Sequence, residues 1–64
     1  MEIININVAN QKEFESLPTI GPVTAERILA YRKSEGPFHS VDDLVKVKGI
    51  GPKTLEKIRP YVSL

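Results

Sequence analysis

The sequence predicts a compact all-α domain of about four short helices, arranged as two tandem helix, hairpin turn, helix units behind an extended N-terminal arm. Three observations predict it. An internal repeat maps one half of the chain onto the other at a single offset, and a proline follows the last glycine of each turn, where it suits the start of a helix. The third is size: 64 residues, 41% of them hydrophobic, leave room for one domain, residues 1–64, with one core.

The repeat becomes plain when Leu17-Pro-Thr-Ile-Gly-Pro-Val-Thr-Ala-Glu-Arg-Ile28 is set over Val47-Lys-Gly-Ile-Gly-Pro-Lys-Thr-Leu-Glu-Lys-Ile58. Ile20 falls on Ile50, Gly21 on Gly51, Pro22 on Pro52, Thr24 on Thr54, Glu26 on Glu56 and Ile28 on Ile58, with Arg27 over Lys57. The same offset carries Asn10 onto Ser40, Glu13 onto Asp43 and Phe14 onto Leu44, so the approach to each turn is repeated as well. The units are read as residues 10–34 and 40–59, after an arm of residues 1–8.

Each element has a local cause. Asn10 and Ser40 are N-cap residues, and the acids Glu13 and Asp43 can reach back to the cap amide or favour the positive helix end. The helices they start run to about Ser16 and Lys46, where Leu17-Pro18 and Lys48-Gly49 break the pattern. Pro22 and Pro52 restart the helix, because a proline at the first position gives up only an amide that would have no helical partner. Ala25, Ile28, Leu29 and Arg32 then form one helical face, which ends at Gly36-Pro37. Leu55 and Ile58 repeat that face until Pro60, leaving Tyr61, Val62 and Leu64 to lie back over the core. Phe38 and Val41 are expected to fill the gap between the units. Ile4 to Val8 alternates apolar and polar residues, as an arm packed on the domain does; an edge that pairs with another chain is the other reading.

Composition excludes several functions. With no cysteine there is neither a disulfide scaffold nor a zinc-thiolate site, and stability must come from packing. No apolar run is long enough to span a bilayer, and Met1 to Val8 lacks the basic start of a secretory signal, so a soluble chain without membrane contact of its own is expected. His39 is the single histidine, with no partner to share a metal, and no metal or cofactor is expected. Asp42 and Asp43 follow Ser40 directly and are read as helix-start charges, as Glu13 and Glu15 are, not as catalytic acids. Ser16, Ser34, Ser40 and Ser63 have no accompanying base. Phe14, Tyr31, Phe38 and Tyr61 are assigned to the core, not to base stacking. No enzyme and no small-molecule substrate are indicated.

Charge is informative only in its distribution. The formal net charge is +1, too small to imply a nucleic-acid partner. Residues 1–30 set Lys12 and Arg27 against Glu2, Glu13, Glu15 and Glu26, whereas residues 44–64 set Lys46, Lys48, Lys53, Lys57 and Arg59 against Glu56 alone. The C-terminal third is a basic patch, for which an ordinary solvated lysine surface is the plainer reading.

The turns carry the chemistry. In Val47 to Thr54, the glycines allow a tight turn and close approach of another backbone, and the helix beginning at Pro52 aims unpaired amides and a positive dipole outward. A phosphate oxygen suits that position. Gly49, Gly51 and Lys53 are the expected amide donors, Ile50 a hydrophobic plug and Pro52 a helix starter. Lys53 adds charge, Thr54 a hydroxyl, and Lys48 and Lys57 flank the turn. In the first turn the corresponding set is Thr19, Gly21, Val23 and Thr24, with Arg27 behind them. The simpler alternative is that each glycine turn only closes a hairpin and binds nothing.

The chain resembles the helix-hairpin-helix domain of the ComEA family of competence DNA receptors over nearly its full length. The residues that carry the resemblance are Asn5-Ile-Asn-Val-Ala9, Leu17-Pro-Thr-Ile-Gly21, Ile28 with Tyr31-Arg32, Gly36-Pro-Phe38, Ser40-Val-Asp-Asp-Leu44 and Gly49-Ile-Gly51. The resemblance implies a compact tandem helix-hairpin-helix domain that binds double-stranded DNA without sequence preference, each turn meeting one strand across the minor groove. It also implies a role in DNA uptake. A monomer is expected. Location depends on what surrounds the chain: outside the cytoplasmic membrane on a tether if it is part of a longer receptor, cytoplasmic if it is complete from Met1.

The first turn departs from the pattern, with Thr19 in place of Gly49 and Val23 in place of Lys53. A β-branched residue resists positive φ, so Thr19 is expected to force a slightly different turn, and Val23 supplies no cation. Arg27 and Arg32 are expected to compensate from the following helix. The second turn should therefore provide most of the grip. Two other roles stay open: a structural or protein-interaction module that keeps the scaffold without DNA binding, and the targeting domain of a larger DNA-processing protein.

Overall fold

Hydrophobic residues spaced for helices, punctuated by prolines and glycines, produce three α-helices and two 3₁₀ segments in a computed structural model that describes residues 2–64. Met1, the first residue of the expected arm, lies outside the described residues. Helix α1 is Gln11–Glu15 and α2 is Pro22–Glu35; a 3₁₀ segment covers Val41–Lys46, α3 is Pro52–Ile58 and a second 3₁₀ segment is Arg59–Tyr61. The four predicted helices are thus present in order. They pack within an envelope of 27 × 22 × 21 Å.

One core serves both units. Phe14 and Leu44, Leu17 and Val47, Ile20 and Ile50, Ala25 and Leu55, and Ile28 and Ile58 are all buried, so every apolar position of the repeat points inward in both copies. Phe38 closes the gap between the units and stacks on Tyr31, with ring centroids 5.3 Å apart. Val41 packs partly buried against the same core.

The arm is tied down rather than merely laid on the surface. Strand β1, Ile4–Asn5, pairs in parallel with β2, Val62–Ser63, so the two chain ends close one side of the domain. The Ile6 amide adds a bond to the Ser63 carbonyl at 2.8 Å. Tyr61 and Val62 cover the core as expected, but Leu64 does not; it is half exposed because pairing with β1 directs the last residue past the core. Asn7 fixes the arm to the inter-unit link, donating from Nδ2 to the Phe38 carbonyl at 3.1 Å and accepting the Phe38 amide at 2.7 Å.

Three local expectations are corrected. The Asn10 cap is a full capping box, with the Glu13 amide on Asn10 Oδ1 and the Asn10 amide on Glu13 Oε1. Its counterpart is not: Ser40 makes no side-chain cap, and the Asp43 carboxylate accepts the His39 amide at 3.0 Å instead. The segment it begins is six residues of 3₁₀ helix, with tighter bonds such as Asp43 amide to Ser40 carbonyl. The hydrogen bond from the His39 amide, more than the Lys46 ion pair at 3.4 Å, holds the Asp43 carboxyl below its ordinary range.

Thr19 is the second correction. It sits at φ 65°, in the left-handed region, as Gly49 does at φ 100°. The threonine keeps the left-handed step despite its branched side chain, because burial of Leu17 and Ile20 on either side fixes the path. Arg32 is the third. Its Nη1 donates to the Ile6 carbonyl at 3.0 Å and the Ala9 carbonyl at 2.8 Å, and its guanidinium lies 5.9 Å from the Phe14 ring centroid. It is spent on holding the arm and does not support the first turn.

Two stability measurements follow. Removing two charge-assisted bonds to half-buried carbonyls in Arg32→Ala should lower the unfolding free energy by about 2–3 kcal/mol in urea titration, whereas Lys33→Ala should change it by less than about 0.5 kcal/mol. Thr19→Gly should raise stability by about 1 kcal/mol, the left-handed cost less the extra freedom of glycine in the unfolded chain. A loss on Thr19→Gly would mean that the threonine side chain holds the turn.

Candidate nucleic-acid interface

Each turn is a short segment clamped by a buried isoleucine. Ile20 and Ile50 are 4% and 3% exposed, whereas Thr19, Gly21, Pro22 and Val23, and Gly49, Gly51, Pro52 and Lys53, are all exposed. The plug fixes the turn and leaves the backbone on either side of it at the surface. The Ile20 amide bonds the Leu17 carbonyl at 3.3 Å and the Ile50 amide the Val47 carbonyl at 3.0 Å, closing equivalent turns.

Gly21 and Gly51 are the N-caps of α2 and α3, with φ −98° and −101°, and neither helix has a side-chain cap. The first helical bonds run from Ala25 to Gly21 and from Leu55 to Gly51. Among the described residues, the amides of Gly21, Val23 and Thr24, and of Gly51, Lys53 and Thr54, therefore have no backbone acceptor and no cap. With the Thr19 and Gly49 amides, which also bond no backbone acceptor, each turn leaves four amides unpaired at matching positions.

The reasons for the glycines differ. Gly49 is favoured by the fold: its φ is 100°, and a Cβ placed on it would lie 3.3 Å from Arg27 Nη1 and 3.4 Å from Thr24 Oγ1. Gly21 and Gly51 are not. Both have ordinary backbone angles, and a Cβ on either would meet no atom within 4 Å. Nothing inside the chain demands glycine at those two positions.

The electrostatics sharpen the basic patch. Arg59 bonds Asp42 at 2.7 Å and Glu56 at 3.0 Å, which raises its pKa, and Lys46 pairs with Asp43. Among the described residues, Lys48, Lys53, Lys57 and Arg27 form no ion pair. Lys53 and Lys48 belong to the second turn itself. Arg27, expected to serve the first turn, lies against the second at Gly49. The sequence held no signal for that placement beyond the repeat, which says that the units match but not which helix faces which turn. The described residues form no concave pocket and no group of three or more His, Asp or Glu side chains able to hold a metal, and no helix is long and apolar enough to cross a membrane.

Comparison with known proteins places this geometry. A family model described as "Helix-hairpin-helix motif" matches residues 1–63. The chain is 40% identical over 62 residues to ComE operon protein 1 of Bacillus subtilis (strain 168), covering 97% of this chain and 30% of that protein. It is 46% identical over 60 residues to an uncharacterized protein of Haemophilus influenzae, covering 92% of this chain and 54% of that one. It is also 39% identical over 59 residues to the endonuclease/exonuclease/phosphatase family domain-containing protein 1 of Xenopus laevis, covering 92% of this chain but 11% of that protein. The chain thus spans from about a tenth to about half the length of these relatives. A match over nearly every residue, on a structure with two equivalent plugged turns, makes this chain a member of the helix-hairpin-helix family.

Proposed function

We propose that the chain binds double-stranded DNA without sequence preference, as a non-catalytic module whose two hairpin turns each hold a phosphate, one on each strand across the minor groove. The single observation that carries this reading is the pair of exposed N-cap glycines, Gly21 and Gly51, at positions where the fold itself needs no glycine. A bare Cα beside unpaired amides lets another backbone approach closely, and a phosphate oxygen is the ligand that uses several amides at once.

The donors are the amides of Thr19, Gly21, Val23 and Thr24 in the first turn and of Gly49, Gly51, Lys53 and Thr54 in the second, with Thr19 and Gly49 also setting the left-handed step before each plug. Lys53 lies beside its own amide, and Lys48, Lys57 and Arg27 add unpaired charge around the turns. The second turn is the stronger because Val23 brings no charge to the first. Such contacts reach sugar and phosphate and leave the base edges unread. Similarity to ComE operon protein 1 supports a role in DNA uptake, in which this domain supplies the grip within a longer receptor.

Titration of a labelled duplex at several salt concentrations tests the reading. With about four neutralised phosphates, the logarithm of affinity should fall against the logarithm of salt with a slope of roughly −3 to −4, the same for duplexes of unrelated sequence. Lys53→Gln should make that slope shallower by about one. A salt-insensitive interaction, or one confined to a single sequence, would favour a protein-interaction module on the same scaffold.

A further inference from the structure

Resting on that reading, we propose that the phosphate sites are composite: the cation and hydroxyl behind each turn come from the second helix of the other unit. Arg27 and Thr24 of α2 complete the Gly49–Lys53 turn, and Lys57 and Thr54 of α3 complete the Thr19–Val23 turn.

The observation is the approach of α2 to Gly49. A Cβ on Gly49 would stand 3.3 Å from Arg27 Nη1, 3.4 Å from Thr24 Oγ1 and 3.8 Å from Thr24 Cγ2, so this side of the second turn is lined by the first unit. Arg27 is exposed and, among the described residues, has no ion-pair partner; the space in front of Gly51 is open. A guanidinium so placed can add two planar donors to a phosphate already held by the Gly51 and Lys53 amides. The repeat supplies the other half. Thr24 corresponds to Thr54, Arg27 to Lys57 and Gly49 to Thr19, and the burial pattern of the two turns and their helices is the same from plug to helix face. By that correspondence, the proposal sets α3 against Thr19 as α2 is set against Gly49.

The crossover gives a reason for two differences between the units. Where a planar guanidinium lies against the turn, the turn residue has no side chain, as at Gly49. Where the turn residue carries a branched side chain, as at Thr19, the cation that the proposal sets opposite it is the slimmer lysine, Lys57. The first turn then depends on the other unit for its charge, whereas the second has Lys53 of its own and receives Arg27 besides.

The test follows the amide resonances of the full 64-residue chain during titration with a duplex, in wild type, Arg27→Gln and Arg27→Lys. In Arg27→Gln the duplex-induced shifts at Gly49, Gly51, Lys53 and Thr54 should shrink to less than about half, while those at Thr19, Gly21 and Val23 persist, and the salt slope should fall by about one. Arg27→Lys should restore part of the response. Equal loss at both turns, loss confined to the first turn, or no loss would overturn the crossover. Absence of any shift at either turn in wild type would instead remove the duplex-binding reading, and the composite sites with it. Matching spectra of the unbound variants would establish that the fold is unchanged.

Discussion

Burial of Ile20 and Ile50 is the constraint on which the exposed face depends. A chain of 64 residues has one core, and the repeat places an apolar side chain of each turn in it. Once the plug is buried, the residues on either side must turn the backbone back to the surface within two positions. That requirement puts Thr19 and Gly49 at positive φ and leaves Gly21 and Gly51 as uncapped helix starts. Outward-facing amides are thus the remainder of an inward-facing core, held in place by packing rather than by the loop itself.

The rest of the structure serves to keep that core closed. Helices of five to fourteen residues are too short to be stable alone, so they rely on each other. The chain ends help by pairing Ile4–Asn5 with Val62–Ser63, and Arg32 and Asn7 fasten the arm across the inter-unit link. Charge is divided between two tasks. Arg32, Arg59 and Lys46 bind groups of the chain, whereas Lys48, Lys53, Lys57 and Arg27 remain unpaired among the described residues and lie in or beside the turns or on the helices that follow them.

Much of this was legible in the sequence because hydrophobic spacing and proline placement are local signals. The repeat gave both turns, and Pro22 and Pro52 marked both helix starts to the residue. What was not legible depended on packing. Propensity argues against Thr19 at positive φ, but the buried residues on either side of it overrode that preference. Arg32 lies on the helical face read from its spacing, yet its partners are carbonyls more than twenty residues away. Ser40 has the chemistry of a cap, but Asp43 had an amide at His39 to satisfy and the segment tightened to 3₁₀. Sequence order pairs Arg27 with its own turn, because sequence neighbours are the default partners; the arrangement of the two units sets it against Gly49 of the other.

On the proposed reading, Gly21 and Gly51 are glycine for a ligand and not for the fold. Replacing each with serine tests it most directly, because serine is a good N-cap whose hydroxyl can take up the adjacent amides. Unfolding free energy and duplex affinity should then move in opposite directions. Gly21→Ser and Gly51→Ser should keep or raise stability by up to about 1 kcal/mol while weakening duplex binding, Gly51→Ser the more. Unchanged affinity in both variants, or a loss of stability that accounts for the loss of binding, would contradict it.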